Sequence, residues 1–426
     1  MTEQLNTLVL SEQQQAAFEA AKKWLEDFEE GKTSRKFFVL EGFAGTGKSF
    51  TLKHIINELG YNAAYMAYTG KAALVLRKYS NVPATTIHSA IYKLIRPSEE
   101  TFKRLYQERD DATSEAEKKE LTNEINKLMQ PQFRLDTEAF DDSGVELIAL
   151  DECSMVDKEL LADLTSFGIP IFALGDSGQL PPVRGTGALF EGLPDAQLTD
   201  IRRQGKDSPI IEWSFFARKN RPLPPTNPDT WKTDEVSKIP AAYTLHNEDF
   251  MQELFDDHDI AICWKNKTRQ DLNLRRRRQL GYGGTFPEVG ETLQITKNDK
   301  DLGVFNGQFA EVTEVGEVFD TYLEVTVLPE GSDKEVKLKL MRYKFEEYFD
   351  PKAKDSLSVF AFKGKQEADF GYAITCHKAQ GSQWERVLVF EENAFNWNGK
   401  SLERSQWLYT AITRAAQKLT VIAGKI

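Results

Sequence analysis

The sequence predicts an α/β protein with two parallel-sheet cores, each carrying an insertion. Short apolar runs at 36–40, 63–67, 147–150 and 169–174 alternate with helix-period segments such as 49–59 and 157–167. That alternation produces parallel strands covered on both faces. A second group of runs follows at 259–264, 386–390 and 419–423. Two segments break the pattern. Residues 98–130 are strongly charged, with helical spacing at Phe102, Leu105 and Tyr106 and again at Leu121, Ile125 and Leu128. Ser114 followed by Glu117 fits a capping box, so this segment reads as an αα-hairpin flanked by candidate strands at 91–96 and 132–136. Residues 281–346 alternate in β fashion at 321–327 and 336–340, with turns at Gly290, Asn306-Gly307 and Gly331. They read as a small β-barrel. The expected division is 1–89 and 143–197 for the first core, with 90–142 inserted. The second core is 198–280 and 347–426, with 281–346 inserted.

Composition narrows the function classes. At 40% hydrophobic and 28% charged the chain is globular. Its 54 basic and 66 acidic side chains leave −12. That argues against coating nucleic acid by bulk charge but leaves room for a local basic groove. No apolar run approaches the ~18 residues of a membrane helix, and Met1-Thr2-Glu3-Gln4 does not open a signal peptide. Cys153, Cys263 and Cys376 are too far apart for a disulfide framework or zinc cluster. The five histidines show no ligand spacing. The expectation is a reduced, cytoplasmic protein with no membrane partner.

Gly42-Phe43-Ala44-Gly45-Thr46-Gly47-Lys48-Ser49 matches G-x-x-x-x-G-K-[ST] between an expected strand and an expected helix. Glycines there let backbone N–H groups turn onto phosphate oxygens, and the helix N-terminus adds its dipole. Lys48 would bridge the β- and γ-phosphates, and the Ser49 hydroxyl would hold Mg²⁺. Leu147-Ile148-Ala149-Leu150-Asp151-Glu152 supplies the partner acids: Asp151 for the metal, Glu152 to orient and deprotonate water. These motifs indicate nucleoside triphosphate hydrolysis without saying what it drives.

The following residues resemble superfamily 1 helicases of the RecD/Dda branch. Asp151 to Val156 look like motif II. Gly175-Asp176-Ser177-Gly178-Gln179-Leu180-Pro181-Pro182-Val183 look like motif III. Leu10 to Gln14 resemble the Q-motif, and 67–73 and 84–89 resemble motifs Ia and Ib. Likewise 198–204, 374–382 and 408–415 resemble motifs IV, V and VI. The order spans nearly the whole chain, and the compact size is closest to the Dda helicases of T-even bacteriophages. The resemblance implies two RecA-like cores, an SH3-like barrel, ATP and Mg²⁺ as cofactors, and 5′→3′ movement on single-stranded DNA with duplex unwinding. It places Gln14 at the adenine and counts Gly381 among the ATP-binding residues. Gln179 is implied to couple the γ-phosphate to DNA, and Arg203 and Arg414 to reach that phosphate. Arginine suits this task because it stays charged and binds phosphate bidentately.

For the nucleic-acid track the resemblance implies Thr69, Thr86, His88, Asn266, Thr375, His377 and Lys378. Hydroxyls and backbone amides at such positions bind phosphates without reading sequence. Phe133 is the candidate wedge, an aromatic that stacks on the last base pair. Seven basic residues between Lys265 and Arg278 face one acid, Asp271. The run reads equally as part of a groove or as a solvated helix face. Cys376-His377 is not a thiol–base pair, on the reading that neighbours on a strand point to opposite faces. Implied partners are single-stranded DNA and its junctions with duplex, with single-strand-binding, replisome or recombination proteins by analogy; the chain reads as a monomer. Competing readings are a translocase subunit needing a partner nuclease, a non-motor DNA-binding protein with a decayed ATPase, and an RNA helicase.

Overall fold

The computed structural model describes residues 10–80, 82–95, 97–129, 132–182, 187–200, 208–244, 246–299, 301–354, 357, 359–392 and 401–424. Six parallel strands form the first sheet, in the spatial order Ala84–Thr86, Ala63–Ala67, Leu147–Asp151, Ile171–Gly175, Phe37–Gly42, Ala196–Leu198. Their continuous apolar character has a direct cause. Phe38, Leu40, Ala149, Phe172 and Leu174 pack on one face, while Val39, Ile148, Leu150, Ile171 and Ala173 pack on the other. A strand buried on both faces cannot alternate polar with apolar residues.

The second sheet has five parallel strands, in the order Ala373–Thr375, Ile260–Cys263, Trp384–Glu392, Ala415–Gly424, Val236–Pro240. It divides its side chains in the same way, Ile260, Ile262 and Val387 on one face and Ala261, Cys263 and Leu388 on the other.

The first insertion is a two-stranded hairpin, Tyr92–Ile95 against Gln132–Leu135. The helices Glu99–Asp111 and Glu115–Met129 join its two strands in place of a turn. Ser98 and Ser114 each accept a backbone N–H three residues on, at 3.1 Å, which fixes both helix starts. The helical pair leans on the second insertion through the Lys363–Glu99 ion pair and the Tyr106–Phe360 contact.

The second insertion is a five-stranded antiparallel sheet, Val336–Met341, Tyr322–Pro329, Phe309–Val318, Thr292–Ile295, Ala368–Phe370. Gln366 bonds across to Lys339 and Met341 at 2.8 and 2.9 Å, so the sheet curls toward closure around Leu293, Val325, Leu340 and Phe370. The expected end at 346 is therefore corrected. The barrel's last strand lies at Ala368–Phe370, a three-residue run too short to carry a periodicity and paired with a strand far away in sequence.

The basic run 265–278 also needs correction. It lies on the helix Asn266–Gln279, but four of its arginines turn to carboxylates of other elements. Arg275 and Arg276 meet Glu248 and Asp256 at 2.8 and 2.7 Å, and Arg269 pairs with buried Asp369. Arg277, 2% exposed, binds fully buried Glu291 at 2.7 Å and caps two carbonyls, at Gly284 and Phe286. Arg269, Arg275, Arg276 and Arg277 thus turn into the protein, while Lys265, Lys267 and Arg278 stay exposed. Cys376 and His377 lie on the short helix Cys376–Ala379, not on a strand. The thiol is nonetheless inert, because it is buried and burial pushes it up.

Removing one member of a buried ion pair strands the other. Arg277→Met should cost about 3–5 kcal/mol of stability, read as a lower urea midpoint. Arg276→Ala, whose partner is exposed, should cost under about 1 kcal/mol.

Candidate active site and nucleic-acid track

The strand Phe37–Gly42 ends at the phosphate loop, and the helix Lys48–Leu59 begins where the loop ends. Gly45 and Gly47 take left-handed φ values of 81° and 83°, which turns the intervening N–H groups toward one hollow. The Lys48 ammonium lies back on the loop and donates to the carbonyls of Gly42 at 2.7 Å and Phe43 at 3.0 Å. Ser49 Oγ donates to Asp151 Oδ2 at 3.0 Å. The two residues expected to share a metal thus already meet, although they are 102 positions apart.

Gln14 is 1% exposed and caps its own helix: Ser11 Oγ accepts the Gln14 N–H, and Gln14 Oε1 accepts the Ser11 N–H at 3.0 Å. Its amide nitrogen lies against Gly47, 3.0 Å from where a Cβ would stand. Thr46 is buried, with its hydroxyl on Phe43 O at 2.9 Å.

Asp151 ends its strand, and Glu152 follows with φ 53° and ψ 45°. A left-handed non-glycine residue is strained by about 1 kcal/mol or more, and such strain concentrates where a side chain must be aimed. Burial raises both carboxyls above the usual range. The Asp151 charge raises Glu152 further, while Arg414 and Lys48 pull it back. The charge of Arg414, on the second core, thus acts on Glu152. Arg414 is 5% exposed and held by Thr410 O at 3.0 Å, Ser382 O at 3.1 Å and Thr413 Oγ1 at 3.1 Å. Gln179 is buried, and its Oε1 has no hydrogen-bond partner among the described residues. A buried orphan amide oxygen is costly and fits a site built for a donor that a ligand, water or motion supplies. Gly381, at φ 74°, presses on the first core, where a Cβ would come within 2.9 Å of Ala72 and 3.4 Å of the Thr69 hydroxyl. Arg203 lies outside the described residues.

The track residues divide. Thr69 accepts the Ala72 N–H at 3.1 Å, opposite Gly381. Thr86 caps the helix Ile87–Ile91 by accepting the Ser89 N–H at 3.1 Å, so its hydroxyl has a structural duty. Thr375 precedes the helix Cys376–Ala379 without capping it. His377 packs beside Trp264, with ring centres 5.8 Å apart. Burial lowers both His88 and His377, keeping them neutral at pH 7. Burial also lowers Lys378, to about 8, and among the described residues no hydrogen bond or ion pair holds its ammonium. Asn266 is exposed in the first turn of its helix, after Lys265.

Phe133 is 49% exposed and sits on the hairpin strand directly opposite Leu94, with His88 and Tyr92 beneath it. Leu94 and Ile95 are also nearly half exposed. They extend the apolar tip beyond the single aromatic that the sequence suggested.

Two residues missed by the sequence reading reach the phosphate loop from the second core. Tyr409 Oη accepts the Ala44 N–H at 3.3 Å, and the Arg218 guanidinium lies 4.4 Å from the Phe43 ring. Tyr409 lies within the 408–415 string that resembles motif VI but takes no role from that resemblance, and no local pattern marks Arg218.

Comparison with known proteins places this geometry. The profile of the AAA domain family matches residues 10–222, half of the chain. The chain belongs to the AAA domain family. A UvrD-like helicase C-terminal domain matches residues 370–422. The ATP-dependent RecD2 DNA helicase of Deinococcus radiodurans is 24% identical over 404 residues, which cover 90% of this chain and 46% of that protein. The chain thus spans under half the length of that relative. Uncharacterized protein R530 of Acanthamoeba polyphaga mimivirus is 24% identical, over 91% of this chain and 95% of its own length. Among solved structures, the Pif1 helicase of Candida albicans superposes with TM-score 0.54 at 18% identity, over 98% of this chain and 95% of that one. Bacteroides Pif1 bound to single-stranded DNA gives 0.53 at 18%, over 98% and 92%. The superpositions show the fold, two RecA-like cores, and the chain is similar to helicases of the RecD and Pif1 type.

Gly47→Ala forces a Cβ into a left-handed turn and against Gln14. It should cost about 1–2 kcal/mol and weaken a fluorescent ATP analogue about tenfold, read by thermal melting and anisotropy.

Proposed function

We propose that the chain is an ATP- and Mg²⁺-dependent DNA helicase that moves 5′→3′ along a single strand and separates duplex ahead of it. One observation carries this reading. A phosphate loop with its acid pair sits on one core, and the buried Arg414 of the other core is near enough for its charge to act on Glu152. Such a cleft lets hydrolysis act on the angle between the cores.

The residues fit the implied groups: a loop with a lysine already bonded within it, a hydroxyl–carboxylate pair suited to a hard cation, and an orphan amide oxygen. ATP supplies the phosphoanhydride, and Mg²⁺ shields the charge on its oxygens. Lys48 would exchange its two carbonyls for phosphate oxygens, and Ser49 and Asp151 would hold the cation. Glu152, raised by burial and by the Asp151 charge, is the proposed base for the attacking water. Arg414 and Arg203 would stabilise charge developing on the transferred phosphoryl group. Thr69, Thr375, His377, Lys378 and Asn266 would hold the strand by its backbone, and Phe133 with Leu94 and Ile95 would meet the junction. The direction of travel rests on the likeness to the RecD branch. Dda-like closeness, a monomeric state and a cytoplasmic setting (the host's, for a phage-encoded chain) are part of the same proposal.

The deciding experiment is strand separation by the purified chain with ATP and Mg²⁺, on matched DNA duplexes with a 5′ or a 3′ single-stranded tail. Opening of only the 5′-tailed duplex is expected, with Lys48→Ala losing hydrolysis while still binding DNA. Opening of only the 3′-tailed duplex overturns the polarity. Opening of neither, with hydrolysis still stimulated by single strands, makes the chain a translocase that needs a partner. Stimulation by RNA oligomers alone would overturn the DNA assignment.

Lys378 gives a second test. Its charge is present below pH 8 and lost above, so affinity for a thymidine oligomer should fall between pH 7 and 9 at fixed salt. The log–log salt slope should shrink by about 0.7. Lys378→Met should bind weakly at both pH values, with no pH dependence from this site.

A further inference from the structure

A second polar cluster flanks the phosphate loop, separate from the residues assigned to nucleotide chemistry. At its centre is Asp176, fully buried just beyond the strand Ile171–Gly175. One of its oxygens accepts from Arg218 and from the Gly178 N–H at 3.0 Å. The other accepts from the Tyr409 hydroxyl. Arg218 forks onward, its second terminal nitrogen reaching Glu41 at 3.1 Å and Ser177 Oγ at 3.2 Å. Glu41 is 5% exposed and immediately precedes Gly42. Asp176 and Glu41 belong to the first core, Arg218 and Tyr409 to the second.

This arrangement has an electrostatic consequence. Two buried carboxylates share one guanidinium that only the other core provides. Drawing the cores apart takes the shared counter-ion from both acids beside the phosphate loop, leaving Glu41 to Gln197 and Ser177 and Asp176 to the Gly178 N–H, and losing the partner of a buried charge is unfavourable. The same motion removes the Tyr409 hydroxyl from the Ala44 N–H and the Arg218 plane from Phe43. The first half of the loop is thus shaped by side chains present only when the cores are closed.

We propose that Arg218 and Tyr409 are positioning residues that tie the geometry of the phosphate loop to closure of the two cores. The inference rests on the helicase reading above. Closure on DNA brings Tyr409 to Ala44 and Arg218 to the Glu41–Asp176 pair, and the loop then holds its hydrolytic shape. Opening releases both contacts, and hydrolysis slows.

The test is steady-state ATP hydrolysis by the full chain with saturating thymidine oligomer, for Tyr409→Phe, Arg218→Lys and Arg218→Met. The wild-type protein must first show DNA-stimulated hydrolysis; if it does not, the helicase reading fails, whatever the variants do. Given that stimulation, Tyr409→Phe should lower kcat about tenfold, leave KM for ATP within about twofold, and melt within about 2 °C of wild type. A purely structural role would instead lower the melting point and raise KM with kcat unchanged, and that result overturns the proposal. So does a wild-type kcat. Should Tyr409→Phe fail to fold, the arginine variants decide. Arg218→Lys keeps the charge without the fork, so its kcat should fall between wild type and Arg218→Met. Two arginine variants with wild-type kcat overturn the proposal.

Discussion

A parallel sheet covered on both faces can offer chemistry only at its strand ends, and that constraint organises this molecule. The first sheet spends Phe38, Val39, Leu40, Leu147 to Leu150 and Ile171 to Leu174 on its two apolar faces. Its polar groups appear where those strands stop: Glu41 and the phosphate loop, Asp151 and Glu152, Asp176. The second sheet stops in the same way, at Lys265 and at Thr375 with the short helix that follows. Apposing the two sets of ends brings acid, lysine and arginine into one cleft. Gly381 shows how tight the apposition is, since no larger residue would clear Ala72.

Charge is distributed along the same lines. The chain is acidic overall, and four arginines of its most basic segment are used within the protein: Arg269, Arg275, Arg276 and Arg277 each find a carboxylate. The residues proposed to follow the strand are mainly hydroxyls, neutral histidines and one desolvated lysine. Such a surface suits a protein that must release as readily as it grips.

What could be read from sequence was what is local. The phosphate loop, the acid pair and both capped helices of the first insertion are contiguous strings whose physics acts within a few residues. Asp176 was seen only as part of a motif. Its partners at 218 and 409 could not be deduced, because neither neighbourhood signals a contact 42 or 233 residues away. The arginine run misled for a related reason: a run of like charges looks exposed until the distant acids that neutralise it are known. Strands of three residues, Ala84–Thr86, Ala196–Leu198, Ala368–Phe370 and Ala373–Thr375, carry no period at all and are defined only by their neighbours. Thr86 combines both cases, since its motif position suggested DNA while its hydroxyl serves a helix.

The barrel enters and leaves the second core side by side, Leu293 paired with Phe370 and Gln294 with Asp369. Mechanically this pairing is a clip. Tension running through the core can cross from one strand to its neighbour without passing through the long loop of chain between them. The barrel then hangs from the second core as a pendant, steadied by Lys71–Glu330 on one side and Lys363–Glu99 on the other, and strain in the cores need not deform it.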